Sequence, residues 1–169
     1  SVLQLDALLS SLDRMYKALR KKEDSFADII KIGRTHLQDA TPITLGQEFS
    51  GYAEMIKKSI ERVRSAGVDL HSLAQGGTAV GTGINTHQDF GRLIAKELSS
   101  YLSVEINEAE NHFEAQSSQD SVVQLSGALK TVSVSLSKIA NDIRWLGSGP
   151  RAGLGELRIP PVQPGSSIM

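Results

Sequence analysis

The sequence of 169 residues contains no cysteine. This absence excludes disulfide bonds, thiolate metal sites and a cysteine nucleophile, and it is typical of a reducing compartment. Charge of one sign is also lacking, because 18 basic and 19 acidic residues give a formal net charge of −1. No apolar run reaches the roughly 18 residues that a membrane helix needs. We therefore expect neither nucleic acid nor a membrane as a partner.

The sequence also lacks the patterns of common metal and nucleotide sites. Its four histidines, His36, His71, His87 and His112, show no spacing typical of metal ligands, so we expect no metal site. The glycine-rich stretch GGTAVGTGIN has no lysine followed by serine or threonine after its last glycine, and no strand is predicted before it. Both features argue against a phosphate-binding loop.

Helical periodicity dominates what is present. Apolar residues recur at intervals of three and four in four long segments, and glycine and proline follow the last of them. A short helix or turn is predicted for Ser25–Lys31, and the segment Val104–Phe113 remains ambiguous. The predicted helices are Val2–Lys22, Thr44–Gln75, Phe90–Leu102 and Val122–Leu146, with Thr44 as an N-cap and Gln47 completing a capping box.

Helix length and apolarity predict an assembly of several copies. The predicted helix Thr44–Gln75 would be about 48 Å long, whereas a compact chain of this length is only roughly 40 Å across. The last helix is apolar nearly all the way round, which is typical of a helix that is buried on every side. We therefore predict an all-α bundle of long, nearly antiparallel helices whose exposed stripes are covered by other copies of the chain.

Candidate chemistry then lies in loops at the helix ends. Three stretches stand out, namely GRTHLQDATP at Gly33–Pro42, GGTAVGTGIN at Gly76–Asn85 and PGSSIM at Pro164–Met169. His36 is the best candidate for proton transfer near neutral pH. The alternatives are a capping role for Thr35, a surface role for His36, and a flexible linker at the end of the chain.

The ordered series GRTHLQDATP, LGQEF, GGTAVGTGIN, SGALK, KIANDIRWLGSGPR and PGSSIM resembles the central region of class II fumarases, within the fumarase/aspartase superfamily. The resemblance covers essentially all 169 residues. It implies a central helical domain at residues 1–147, followed by a loop segment at 148–169. The family's serine loop continues beyond the position of Met169, so the resemblance predicts a central fragment without the flanking domains, inactive in isolation.

The resemblance also assigns roles to four residues. Ser166 matches the general base that removes a proton from the carbon beside a carboxylate of malate, and Ser167 matches its neighbour in the substrate-binding turn. Thr35 and His36 match a pair that contacts the substrate, with the histidine assisting proton transfer. The implied reaction is reversible hydration of fumarate to L-malate in the tricarboxylic acid cycle, without metal or organic cofactor. The implied assembly is a homotetramer in the cytoplasm, or in the mitochondrial matrix of a eukaryote.

Two other interpretations remain. Aspartases share the serine loop and LGQEF, but they typically carry glutamine where His36 stands and GATAIGTG where this chain reads GGTAVGTG. Both differences favour a fumarase. Alternatively, the chain is only a structural oligomerisation core, because the family assembles each active site from three chains.

Overall fold

The computed structural model describes residues 2–161, 163 and 165. It confirms the predicted class, an all-α helical bundle, and adds a few short strands. The chain divides into two compact units, residues 1–132 and 133–169. The elements are α1 (Val2–Ser25), β1 (Ile30–Thr35), β2 (Gln38–Thr44), α2 (Leu45–Gly67), β3 (Ser72–Leu73), α3 (Phe90–Leu102), β4 (Asn107–Glu108), α4 (His112–Ser117) and α5 (Asp120–Leu146), with a 3₁₀ turn at Val68–His71.

Helices α1 and α2 pack against each other as an antiparallel pair. Leu5 near the start of α1 lies against Gly67 at the end of α2, whereas Ala27 just after α1 lies against Gly46 at the start of α2. Helix α2 is amphipathic, and its buried residues recur at the helical spacing of three and four. They include Phe49, Tyr52, Ala53, Ile56, Ile60 and Val63.

The start of α2 is confirmed, but its predicted end is wrong. Thr44 caps the helix as expected, because its hydroxyl accepts from the Gln47 backbone N–H and the Gln47 side chain accepts from the Thr44 N–H. The helix ends at Gly67, not at Gln75, and Ser72–Leu73 pair in parallel with Asn107–Glu108. The helix is therefore about 35 Å long, so its length no longer argues for an assembly.

The predicted loop at Gly33–Pro42 is an antiparallel hairpin. Strands β1 and β2 pair from Ile30↔Thr44 to Thr35↔Gln38, with a register shift beside Gly33. A Cβ at Gly33 would approach the Thr41 carbonyl oxygen to 2.8 Å, so glycine permits this close pairing. Of the predicted helix or turn at Ser25–Lys31, the turn is present at residues 26–28, whereas Ile30 and Lys31 are already in β1.

The glycine-rich stretch Gly76–Asn85 lies outside helices and strands, as predicted, and leads into α3. The ambiguous segment Val104–Phe113 contains β4 and the start of α4. Asn111 caps α4 by accepting from the backbone N–H groups of Phe113 and Glu114. Within the described part of the chain, none of the helices combines the length and the apolarity needed to cross a membrane.

Helix α5 confirms the predicted long final helix, with its start two residues earlier than expected. Within this chain it is not buried on every side. Its most buried apolar residues are seven apart and form one narrow stripe, Leu125, Val132, Ile139 and Leu146. Other large apolar side chains of the helix are exposed, namely Val122, Val123, Leu129, Val134 and Trp145.

Candidate functional site

The hairpin of β1 and β2 presents Thr35 and His36 at its tip. Thr35 ends β1, and His36 and Leu37 form the two-residue connection to β2. Both connecting residues have left-handed backbones, with φ of 50° and 62°, as a type I′ hairpin turn requires. Asparagine and glycine suit such a turn better than histidine and leucine do. All three side chains are exposed, so the hairpin directs them away from the core of its own chain.

The base of this hairpin is fixed to α2. The Leu45 N–H donates to the Ile29 carbonyl at 2.8 Å, and the Gly46 N–H donates to the Phe26 carbonyl at 2.9 Å. Gly46 is required for this approach, since a Cβ there would lie 2.6 Å from the Glu23 carbonyl oxygen. The segment LGQEF therefore begins α2 and also contacts the base of the hairpin.

The other two predicted site residues, Ser166 and Ser167, lie outside the described residues. Thr35 and His36 lie side by side at the hairpin tip, and the roles assigned to all four residues remain predictions.

In the second unit, the chain after α5 folds back on the helix end. The Leu146 carbonyl accepts from the N–H groups of Glu156 and Leu157, at 2.9 and 3.0 Å.

Ser148 closes the same turn after α5. Its carbonyl accepts from the Gly155 N–H at 2.7 Å, and its hydroxyl accepts from the Leu154 N–H at 3.0 Å. These bonds satisfy polar groups at the helix C-terminus, which would otherwise lack intrahelical partners. The turn ties residues 154–157 to α5, on the path towards the serine loop. The glycines and proline after α5 predict the end of the helix but not this closure.

The glycine-rich stretch and the residue before it contact side chains that were not among the predicted site residues. His112 Nε2 lies 3.3 Å from Glu108 Oε1 and 3.2 Å from the Gln75 carbonyl oxygen. The Gln116 side chain donates to the Thr78 carbonyl at 2.8 Å. A Cβ at Gly91 would lie 2.6 Å from the Gln75 carbonyl oxygen, so glycine is needed there as well. Glu108 lies in β4 and His112 begins α4, so no helical spacing linked the two residues in the sequence.

These contacts indicate that the glycine-rich stretch packs tightly against its own chain. Glycine allows the backbone to approach other groups this closely. Among residues 2–161, 163 and 165, no cluster of three or more histidine, aspartate or glutamate side chains is arranged to hold a metal ion.

The family of this chain follows from its similarity to known proteins. A family model described as "Lyase" matches residues 2–169, and the chain belongs to this lyase family. The mitochondrial fumarate hydratase of Schizosaccharomyces pombe is 54% identical over 170 aligned residues, which cover 100% of this chain and 33% of that protein. The class II fumarate hydratase of Corynebacterium glutamicum is 55% identical over 163 residues, or 96% of this chain and 34% of that protein.

The fold comparison agrees with the sequence comparison. The crystal structure of class II fumarase from Schistosoma mansoni superimposes with a TM-score of 0.91 at 36% identity, covering 99% of this chain and 39% of that one. The resemblance to class II fumarases is therefore confirmed. The chain spans about a third of the length of the curated relatives that it matches.

Proposed function

We propose that this chain forms the helical core and part of the active site of a fumarate hydratase, which interconverts fumarate and L-malate. The observation that carries the proposal is the identity of more than half of the aligned residues with two fumarate hydratases, across nearly the whole chain. The exposed pair Thr35 and His36 at the hairpin tip supports it, because these side chains are accessible to a substrate.

In the proposed reaction, Ser166 removes a proton from the carbon beside a malate carboxylate, and the hydroxyl group on the adjacent carbon takes up a proton and leaves as water from the opposite face. A carbon acid of this kind is very weak, so preorganised donors must stabilise the anionic intermediate. Serine becomes a useful base only if neighbouring N–H groups stabilise its alkoxide. Thr35 and Ser167 bind the substrate, and His36 assists proton transfer. Neither a metal nor an organic cofactor is part of this scheme.

We further propose that the site is completed by other copies of the chain in a homotetramer. The side chains of the hairpin tip are exposed, and α5 leaves large apolar side chains exposed. Residues 1–147 would form the shared helical domain, and residues 148–169 would lead to the catalytic serine. The proposed role is in the tricarboxylic acid cycle, in the cytoplasm or the mitochondrial matrix.

The test uses a chimera in which residues 2–169 replace the matching segment of the Corynebacterium glutamicum enzyme. We expect it to consume fumarate, measured as loss of ultraviolet absorbance, and Ser166→Ala to lower kcat by about 10²-fold or more. Ser65→Ala, on the exposed side of α2, is the matched control. Near-normal turnover by Ser166→Ala in an intact tetramer would exclude Ser166 as the base.

A structural core without activity of its own is the second candidate, favoured by the exposed apolar side chains of α5. The isolated chain would then form a stable multimer but leave fumarate unchanged. An aspartase would instead release ammonia from aspartate, which the same chimera can be assayed for.

A further inference from the structure

A buried lysine links the hairpin to α2. The Lys31 side chain, on β1, is only 8% exposed, and its Nζ lies 2.5 Å from Glu48 Oε2 in the first turn of α2. The Tyr52 hydroxyl, one turn further along, donates to Glu48 Oε1 at 3.3 Å. A lysine is rarely buried unless its charge is compensated, and the Glu48 carboxylate supplies an opposite charge at this position.

Other ion pairs on the same helix differ from this one. Glu54 lies 3.8 Å from Lys57 and 3.9 Å from Lys58, and all three side chains are about half exposed. Exposed pairs of this kind contribute little to structure, because water screens them and the side chains stay mobile. The Lys31–Glu48 pair is shorter, is shielded from water and joins two elements, so it can fix their relative orientation.

The hairpin needs such a link. A two-stranded hairpin is only marginally stable by itself, and residues 38–42 of β2 are exposed. The backbone bonds from Leu45 to Ile29 and from Gly46 to Phe26 hold the point where the hairpin leaves the core. Lys31 is further along β1, so its bond to Glu48 restricts the tilt of the strands about that point.

We propose that Lys31, Glu48 and Tyr52 form a positioning network that sets the angle of the hairpin and thereby the location of Thr35 and His36. Its catalytic consequence rests on the proposed fumarate hydratase function. His36 is five residues beyond Lys31, or about 17 Å along an extended strand. At that distance a tilt of roughly 4° moves the imidazole by about 1 Å, and a displacement of that size can lower a rate by ~10²-fold.

The first test measures the hairpin angle directly. Because the chain has no cysteine, Leu37→Cys at the exposed tip and Glu61→Cys on the exposed side of α2 provide two unique positions for spin labels. Labelled chain is diluted with unlabelled chain, so that distances within one copy dominate the pulsed electron paramagnetic resonance signal. We expect one narrow distance distribution, which broadens or shifts in Lys31→Met and in Glu48→Gln.

Two matched controls separate this network from general effects of charge removal. Lys58→Met and Glu54→Gln remove the same groups from an exposed pair on α2 and should leave the distribution unchanged. An unaltered distribution in both Lys31→Met and Glu48→Gln, with the helical circular dichroism of the parent, would overturn the proposal. Glu48→Gln keeps the size of the side chain and therefore tests the charge even if Lys31→Met fails to fold.

The second test uses the fumarate hydratase chimera. We expect Lys31→Met and Glu48→Gln to lower kcat by about tenfold or more and to raise KM by less than threefold, because misplaced groups impair the transition state most. A changed distance distribution with unchanged kcat would overturn the catalytic role of the network. If the parental chimera does not hydrate fumarate, the proposed function fails, and the distance measurement still decides whether the network positions the hairpin.

Discussion

Helices α2 and α5 are both long, yet they differ in how much of their apolar surface is buried within this chain. Helix α2 spans 23 residues and buries a continuous apolar face, with Ile56 and Val63 fully inaccessible. Helix α5 spans 27 residues and is more apolar, but Val134 is 62% exposed and Trp145 is 53% exposed. The hydrophobic face of α2 is therefore buried within the chain, whereas several large apolar side chains of α5 are left exposed.

Large exposed apolar surfaces on a protein mark interaction sites. The exposed apolar side chains of α5 are explained if other copies of the chain cover them, as in a helical bundle built from several subunits. The exposed side chains of α5 therefore favour an assembly, whereas the observed length of α2 does not require one.

The largest effect should come from the same truncation made in both helices. Val63→Ala removes two buried methyl groups, and we expect it to lower the free energy of unfolding by about 2–3 kcal/mol, as the sum of lost burial and a residual cavity. Val134→Ala in α5 should change it by less than about 0.5 kcal/mol at concentrations where the chain is a single copy. Urea unfolding measures both. Equal losses of unfolding free energy in the two variants would contradict the difference in burial between the two helices.

A smaller effect is expected where α2 meets the turn after α1. Gly46→Ala would place a Cβ 2.6 Å from the Glu23 carbonyl oxygen and 2.9 Å from the Ala27 Cα. Both are backbone atoms that cannot rotate away, so we expect the free energy of unfolding to fall by about 1–3 kcal/mol.

Gly51→Ala is the matched control for Gly46→Ala in the same helix. A Cβ at Gly51 meets nothing within 4 Å, and alanine is the better helix former by about 0.8–1 kcal/mol. The midpoint temperature of thermal unfolding should therefore fall in Gly46→Ala and rise in Gly51→Ala. Shifts of the same sign would contradict the close packing described at Gly46.

The smallest effect concerns the N-terminus of α2. Thr44→Ala removes the hydroxyl that accepts from the Gln47 N–H, and loss of such a cap costs about 1 kcal/mol. Thr44→Ser keeps the hydroxyl and should retain most of the stability. Equal destabilisation by alanine and serine would show that the methyl group of Thr44, and not the cap, is important. Urea unfolding again provides the measurement.

The helices were predictable because their signals are local. The apolar periodicity of α3 and α5, and the Thr44 capping box, depend on residues within one or two turns. The end of α2 was not predictable in this way, since Leu70 and Leu73 continue the periodic pattern. Leu73 pairs instead with Glu108, a contact between residues that are distant in sequence.

The hairpin was missed for a related reason. Its strands are short, largely polar on β2, and contain Gly33 and Pro42, all of which favour a loop. The hairpin is stabilised by contacts with α2 and the preceding turn, such as the Lys31–Glu48 pair, which no local pattern reveals. Thr35 and His36 were identified from their motif, but their exposed position at the tip required the structure.

Sedimentation equilibrium of the purified chain over a wide concentration range tests most directly whether the exposed residues of α5 are covered by other copies. We expect the mass of four chains, with Val134→Asp shifting the equilibrium to smaller species while the helical circular dichroism remains. A well-folded single copy at high concentration, with the same mass for the parent and for Val134→Asp, would contradict the account.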